Sequence, residues 1–332
     1  MKNKIKFVSR TLLGRARSKW ANLPSGIYCF TYHRIGDAKQ CDFDANVYSC
    51  TAERFERHLM FYKKHFEVIN QQQLQQLLES DKPLEKKYAL ISFDDGYIDN
   101  YKLAFPILRK HDLTASFFIT TGYVGQHRIP WWDKIAWLIK KSECKKLYYP
   151  TDAKPVNLSR RNKNKVINDV LKRVKADNQT SMADKIDLLS ELLGTQLNES
   201  MNDIQLFMNF EQVKEMHQAG MDIGAHTVNH CILSHEDSAT QQIELAQSKA
   251  ELETLLGTCV PLLAYPVGAF NCYNDDTIKL AQELGYQVAF TYEEGVNLSP
   301  ASNRFELLRF PIENNKSITR LKYALSYPKN VH

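Results

Sequence analysis

Short apolar runs that close on polar or charged residues alternate with segments of helical period along most of this chain, and that alternation constrains its fold more than any other feature. The runs are Ile27–Tyr32, Tyr88–Phe93, Ser116–Thr121, Met221–His226, Leu262–Tyr265, Gln287–Thr291 and Leu307–Ile312. Each has strand length and too few residues for a buried helix. Helical spacing occupies 51–65, 71–79, 100–111, 210–219, 239–256 and 275–284 between them. Successive strands separated by helices must return over the sheet to run parallel, so the pattern predicts an α/β fold with a parallel sheet, open or closed into a barrel.

Residues 127–205 interrupt this rhythm. The segment opens on Pro130-Trp131-Trp132-Asp133 and carries helical patterns at 135–141, 162–174 and 182–193. It reads as a mostly helical insertion carried by the main domain of residues 26–332. Twelve Lys or Arg stand between Lys140 and Lys175 against three acidic residues. Such a bias marks a solvated face or a surface facing a phosphate-bearing substrate. At the other end, residues 1–25 form a basic arm: seven Lys or Arg fall in the first twenty residues, and Asp37 is the first acid. Ile5, Val8, Leu12, Ala16 and Trp20 recur at helical spacing, which suits either a helix packed on the domain or one lying peripherally on an anionic membrane surface.

A formal net charge of +5 over 332 residues is too thin for a protein that tracks a phosphate backbone, so no nucleic-acid partner is expected. The seven cysteines show no CxxC pair, and they read as reduced structural thiols. No apolar segment has the length of a membrane span or of a secretory signal, which places the expected location in the cytoplasm or on the inner membrane face.

The chemistry concentrates at two strand ends. Ser92-Phe93-Asp94-Asp95-Gly96 puts adjacent carboxylates where parallel α/β folds carry their active sites, with Gly96 permitting a sharp exit. His226-Thr-Val-Asn-His230 places two imidazoles four residues apart, on one face if the segment turns into a helix. Two histidines and one aspartate match the three protein ligands of a catalytic zinc, and the second aspartate is then free to act as a general base. Taken singly, the first motif is more often a strand-terminating turn and the second more commonly a hydrogen-bonded surface pair.

Together, Ser92–Gly96, His226–His230 and Tyr265-Pro266-Val267-Gly268 resemble the three motifs of the polysaccharide deacetylases with a NodB-homology domain, the carbohydrate esterase family 4 type, over about residues 26–315 less the insertion. The resemblance implies a distorted (β/α) barrel of seven or eight strands. It also implies a divalent metal, usually zinc with Co2+ or Ni2+ as other occupants, and removal of an N-acetyl group from an amino sugar in a glycan or glycan precursor of the cell envelope. On this basis Asp95, His226 and His230 bind the metal, Asp94 is the base, and the Val267 N–H supports the oxyanion.

Two departures from the family pattern stand out. Ala264 occupies the place of an arginine that orients the base in many members, with Arg309 a substitute by position, and the C-terminal stretch ends on Phe310 without the family's acid histidine. The stretch Phe30-Thr-Tyr-His-Arg-Ile35 resembles the N-terminal Tyr-His element of a permuted branch similar to the poly-N-acetylglucosamine deacetylases. His33 is then either the acid or a strand-capping histidine. Tyr265, Trp131 and Trp132 are substrate-binding candidates, the tryptophans serving equally as anchors of the insertion. The departures also leave open a catalytically retired carbohydrate-binding protein, and the small reacting group leaves open a non-sugar amide or ester.

Overall fold

The computed structural model describes residues 19–80, 82–150, 154–159, 162–198 and 204–332. The expected membrane-facing helix of residues 1–20 lies, up to residue 18, outside the described residues. Trp20 packs onto the domain, its ring 5.2 Å from that of Phe61. Among the described residues no helix is long and apolar enough to cross a membrane.

Seven parallel strands close into a barrel: β1 (Gly26–Tyr32), β2 (Lys87–Phe93), β3 (Ser116–Ile119), β4 (Asp222–Ala225), β5 (Leu262–Ala264), β6 (Val288–Val296) and β7 (Leu307–Pro311). Each strand pairs with its neighbour in the chain, and β7 returns to β1. The barrel thus has seven strands, the lower of the two numbers expected. Period-two alternation explains how both faces are filled. Tyr28, Phe30, Ala89, Ile91, Phe117 and Leu263 join one buried cluster with side chains of the surrounding helices. Ile27, Cys29, Leu90, Phe118, Leu262 and Phe290 form a second, inner cluster.

Among the described residues ten α-helices flank the strands or build the insertion: α1 (Ala52–His65), α2 (Gln71–Glu79), α3 (Phe105–Lys110), α4 (Trp131–Lys141), α5 (Lys163–Ala176), α6 (Met182–Leu193), α7 (Phe210–Gln218), α8 (Ser238–Leu256), α9 (Asp275–Glu283) and α10 (Ile318–Ser326). The helix expected over 100–111 is instead a π-helical turn at Asn100–Ala104 continuing into α3, where Pro106 takes an early position that needs no N–H. Helix α4 begins four residues before the apolar spacing at 135 suggested, because Trp131 and Trp132 bury in its first turn. Strand β6 runs on to Val296 through a register shift between Phe290 and Glu294; its half-exposed middle hid it from an apolar-run reading.

Helices α4, α5 and α6 bury Ile135, Leu138, Val166, Val170, Val174 and Leu189 in an apolar cluster of their own. Trp131, Trp132, Tyr97 and Phe207 belong to the same cluster, so the insertion is fastened beside the β2 exit through its aromatic rings, Trp132 meeting Tyr97.

Candidate active site

The site is assembled from residues at the C-terminal ends of the strands. His33 follows β1, Asp94 and Asp95 follow β2, His226 follows β4, Val267 follows β5, and Arg309 lies within β7. The Asp94 N–H donates to the Tyr32 carbonyl at 2.9 Å, and the His226 N–H donates to the Ile119 carbonyl at 3.0 Å. Main-chain pairing of neighbouring strands therefore continues one step beyond the sheet and fixes where these side chains start. His33, Asp94, Asp95, His226 and Val267 line a cleft of about 530 Å³ together with Trp131, Trp132 and Tyr265, and Arg309 lies behind it.

Asp95, His226 and His230 form a buried cluster whose donor atoms all lie within 4.8 Å of one another. The Nε2 atoms of His226 and His230 stand 3.4 and 3.3 Å from Asp95 Oδ1. That oxygen is buried and has no hydrogen-bond partner. A carboxylate oxygen left without a donor between two imidazole nitrogens is costly unless something positive sits there. Two neutral imidazoles and a carboxylate are the donor set of a borderline divalent cation, and the residues fit one. The tautomer of His226 is set from behind: its Nδ1–H donates to the Ala264 carbonyl at 2.7 Å, leaving Nε2 as a lone pair. The position that lacks the expected arginine thus contributes its main chain. Burial alone would raise the Asp95 carboxyl, but His226 and His230 hold it well below the usual range.

Asp94 is gripped by Arg309. The guanidinium donates Nη1–H and Nη2–H to Oδ1 and Oδ2 of Asp94, both at 2.8 Å. Arg309 is fully buried and reaches across the barrel interior to Thr291 of β6 and Thr31 of β1, donating to their oxygens at 2.5 and 3.1 Å. This fork fixes the carboxylate plane as well as its charge. Burial pushes the Asp94 pKa up; Arg309, His226 and His33 outweigh it and leave the pKa below its ordinary value.

His33 is half-buried at the cleft. Its main chain is tied down on both sides, the N–H donating to Ser49 Oγ at 2.9 Å and the carbonyl accepting from Asn100 Nδ2 at 2.7 Å. The ring meets Tyr292 edge-on at 5.5 Å.

Backbone strain gathers here. Seven non-glycine residues among those described have positive φ, and Asp95, Thr227, His230 and Val267 are four of them. For β-branched Val267, at φ 61°, that conformation is a true outlier, of the kind kept where neighbours over-determine the backbone. The next residue, Gly268, cannot be replaced cheaply, since a Cβ there would stand 2.7 Å from the Tyr292 nitrogen. The Val267 N–H has no backbone acceptor among the described residues.

Three expectations need correction or refinement. His226–His230 does not turn into a helix: the segment is a run of bends, and positive φ at Thr227 and His230 brings the rings to 4.9 Å instead. Trp131 and Trp132 are both nearly buried. They anchor the insertion while lining the cleft, with Trp132 Nε1–H donating to the Tyr97 hydroxyl at 2.8 Å and its ring 4.5 Å from that of His230. The Tyr265 hydroxyl is already committed to the Phe305 carbonyl at 3.0 Å, so its ring alone faces the cleft.

Glu244 of α8 was not foreseen. Its Oε2 accepts the N–H groups of Val228 and Asn229 at 2.9 and 2.8 Å, and Oε1 accepts from Asn229 Nδ2 at 2.6 Å. One buried carboxylate therefore holds the whole loop between the two histidines. The signal for it is faint: Gln241, Glu244, Ser248 and Lys249 are polar residues on the core-facing stripe of α8, where apolar ones are the rule.

A closed parallel barrel carries at its C-terminal mouth a cluster that could hold a divalent cation beside a clamped carboxylate. The chain belongs to the polysaccharide deacetylase family, whose model matches residues 81–183 and 188–289. It is 23% identical over 273 residues to YxkH of Bacillus subtilis, which bears the same family description, covering 82% of this chain and 66% of the relative. It is 30% identical over 128 residues to the poly-beta-1,6-N-acetyl-D-glucosamine N-deacetylase of Staphylococcus aureus, covering 36% of this chain and 42% of that protein. The chain thus spans two thirds or less of these curated relatives. Among solved structures, the deacetylase PplD of Streptococcus pyogenes, determined with acetate, superposes with a TM-score of 0.57 at 22% identity, covering 90% of this chain and 97% of that one. IcaB from Ammonifex degensii gives 0.59 at 16% identity, covering 92% and 98%. At these identities the structural likeness speaks for the fold.

Proposed function

We propose that this chain is a zinc-dependent N-deacetylase acting on an N-acetylated amino sugar in a glycan or glycan precursor. The observation that carries the reading is the fork of Arg309 on Asp94, directly beside the Asp95, His226 and His230 cluster. It supplies a base with fixed charge and aim next to the only group of metal-ligating side chains found among the described residues. Family membership supports the reaction class, and the named activity of the Staphylococcus aureus relative supports an N-acetylglucosamine-type sugar.

Asp95, His226 and His230 would hold the cation. When bound there, zinc supplies a Lewis acid that acidifies a water and polarises an acetyl carbonyl. Asp94 takes the water's proton, ionised at neutral pH because Arg309 faces both of its oxygens. The Val267 N–H, aimed by its strained backbone, donates to the oxyanion that forms at the carbonyl. His33, across the cleft, donates a proton to the departing amine. Trp131 and Trp132 line the cleft where the sugar would lie, and Glu244 keeps the histidine loop in place from behind.

The test is acetate release from N-acetylated glucosamine oligosaccharides by zinc-loaded protein, with the free amine located by mass spectrometry. Release that depends on Asp94 supports the reading. Full metal occupancy with no release from any N-acetylated saccharide would refute it and favour a binding protein.

A further inference from the structure

The insertion helix α5 sends one of its faces into the cleft. Asn168, Leu171, Lys172 and Lys175 all line it, at the three- and four-residue spacings that stack side chains along one side of a helix. The opposite side is held in the insertion's core through Val166, Val170 and Val174, so the lysines are presented by a packed element.

The acidic side chains of this cleft are each engaged by other groups. Asp94 is taken by Arg309, and Asp95 belongs to the histidine cluster. Asp44 accepts from the backbone and side-chain nitrogens of Asn46 at 2.9 and 2.7 Å. Glu313 accepts from the Tyr292 hydroxyl at 2.9 Å. Lys172 and Lys175, by contrast, have no ion pair and no hydrogen bond to any described residue. Lys175 is half-buried, with Nζ 5.8 Å from the centre of the Trp131 ring. Burial lowers the pKa of its ammonium, against weaker opposite pulls from Cys272, Asp44, Asp95 and Glu313. A half-buried ammonium with no direct ion pair, beside a tryptophan and the metal-ligating cluster, is placed to meet an anion that enters the cleft.

We propose that Lys172 and Lys175 recognise an anionic substituent, phosphate or carboxylate, on the sugar chain whose N-acetyl group reaches Asp94. The inference rests on the deacetylase reading for which group reacts, and adds the class of saccharide: acidic rather than neutral. The insertion, which contributes neither the base nor the metal cluster, then acts as the specificity element of the barrel.

Equilibrium binding separates this claim from the chemistry. Three probes are titrated into the zinc-loaded Asp94→Asn chain: a neutral N-acetylglucosamine tetrasaccharide, the same tetrasaccharide carrying a phosphate ester, and an alternating N-acetylglucosamine and hexuronate tetrasaccharide. At least one acidic probe is expected to bind about tenfold more tightly than the neutral one, the size of a charge-assisted contact at a half-exposed position. Which acidic probe gains identifies the anion. Lys172→Gln with Lys175→Gln should reduce that preference to near one, and raised salt should shrink it. The same preference should appear in KM for the unsubstituted chain. Equal binding of all three probes, or a preference that survives in the double variant, overturns the proposal. Lysine-dependent acidic binding without acetate release from any probe would uphold the anion site and refute the deacetylase reading.

Discussion

Arg309→Lys keeps the buried positive charge opposite Asp94 and removes the fork. Arginine makes two parallel bonds of 2.8 Å, one to each carboxylate oxygen; a lysine ammonium is a point donor that serves one oxygen and leaves the other to rotate. One charge-assisted bond in a buried site is worth about 1.5–3 kcal/mol. If that orientation is needed only as the proton moves, the loss appears in the barrier, and kcat falls by about 10- to 100-fold. KM should change little, because Arg309 stands behind Asp94 and does not line the cleft. Zinc content should hold, because Arg309 makes no hydrogen bond to Asp95, His226 or His230. Arg309→Met goes further and leaves Asp94 buried without a counter-ion, at about 3–5 kcal/mol of stability; adding Asp94→Asn should recover stability without activity. The assay is steady-state acetate release with zinc measured on the same samples. Wild-type kcat in a folded Arg309→Lys protein, or zinc loss in step with kcat, would refute the reasoning.

Glu244→Gln replaces an acceptor of the Asn229 amide with a group that can no longer serve both roles, so the histidine loop loosens. Zinc affinity, read by competition with a chelator, should weaken about 10- to 100-fold, and unchanged affinity would assign Glu244 to packing alone. Asp133 is buried, and burial, with the charges of Asp44 and Asp95, pushes its pKa up to about 7. Since that value lies above the unfolded one, the folded chain retains a proton the unfolded chain has lost, and stability falls as pH rises from about 4 to about 7. Asp133→Asn should therefore be more stable than wild type at pH 8, on the order of 4 kcal/mol, and show only about a third of that gain at pH 5. Denaturant midpoints at the two pH values read this directly, and a gain of equal size at both would contradict it. His33→Gln should lower turnover of an N-acetyl substrate by about a hundredfold, yet cost an activated aryl acetate far less, since a phenolate leaves without protonation. Equal losses on both would make His33 structural.

Much of this site is visible in the sequence because its parts are local. Asp94-Asp95-Gly96 and His226–His230 each sit within five residues at a strand end, and strand ends are marked by apolar runs. His33 is also local to β1. What links elements was harder to read. Arg309 could be nominated only by position, as its contact with Asp94 crosses the barrel from β7 to the end of β2, and closure of the sheet is what brings them together. The fork removes one motive for a retired site, since the arginine missing at Ala264 is met by another at the same carboxylate. Glu244 was invisible because a polar residue inside a helix has no local signature of the loop it holds. The bends at Thr227 and His230 were misread as a helix start, since HxxxH spacing fits a helical turn and a strained loop equally. The aromatic pair at 131 and 132 announced its size but not its place, half in the insertion's core and half at the cleft.

The central claim is that Asp94 and the Asp95, His226 and His230 cluster together hydrolyse an N-acetyl group. The most direct measurement is acetate release from an N-acetylglucosamine oligosaccharide by the chelator-treated protein before and after zinc is restored, with Asp94→Asn alongside. Activity that disappears on chelation, returns with zinc and stays absent in a zinc-replete Asp94→Asn protein is the expected result. Acetate release that persists in the Asp94→Asn chain, or that is indifferent to zinc with the cluster stripped, would contradict the account.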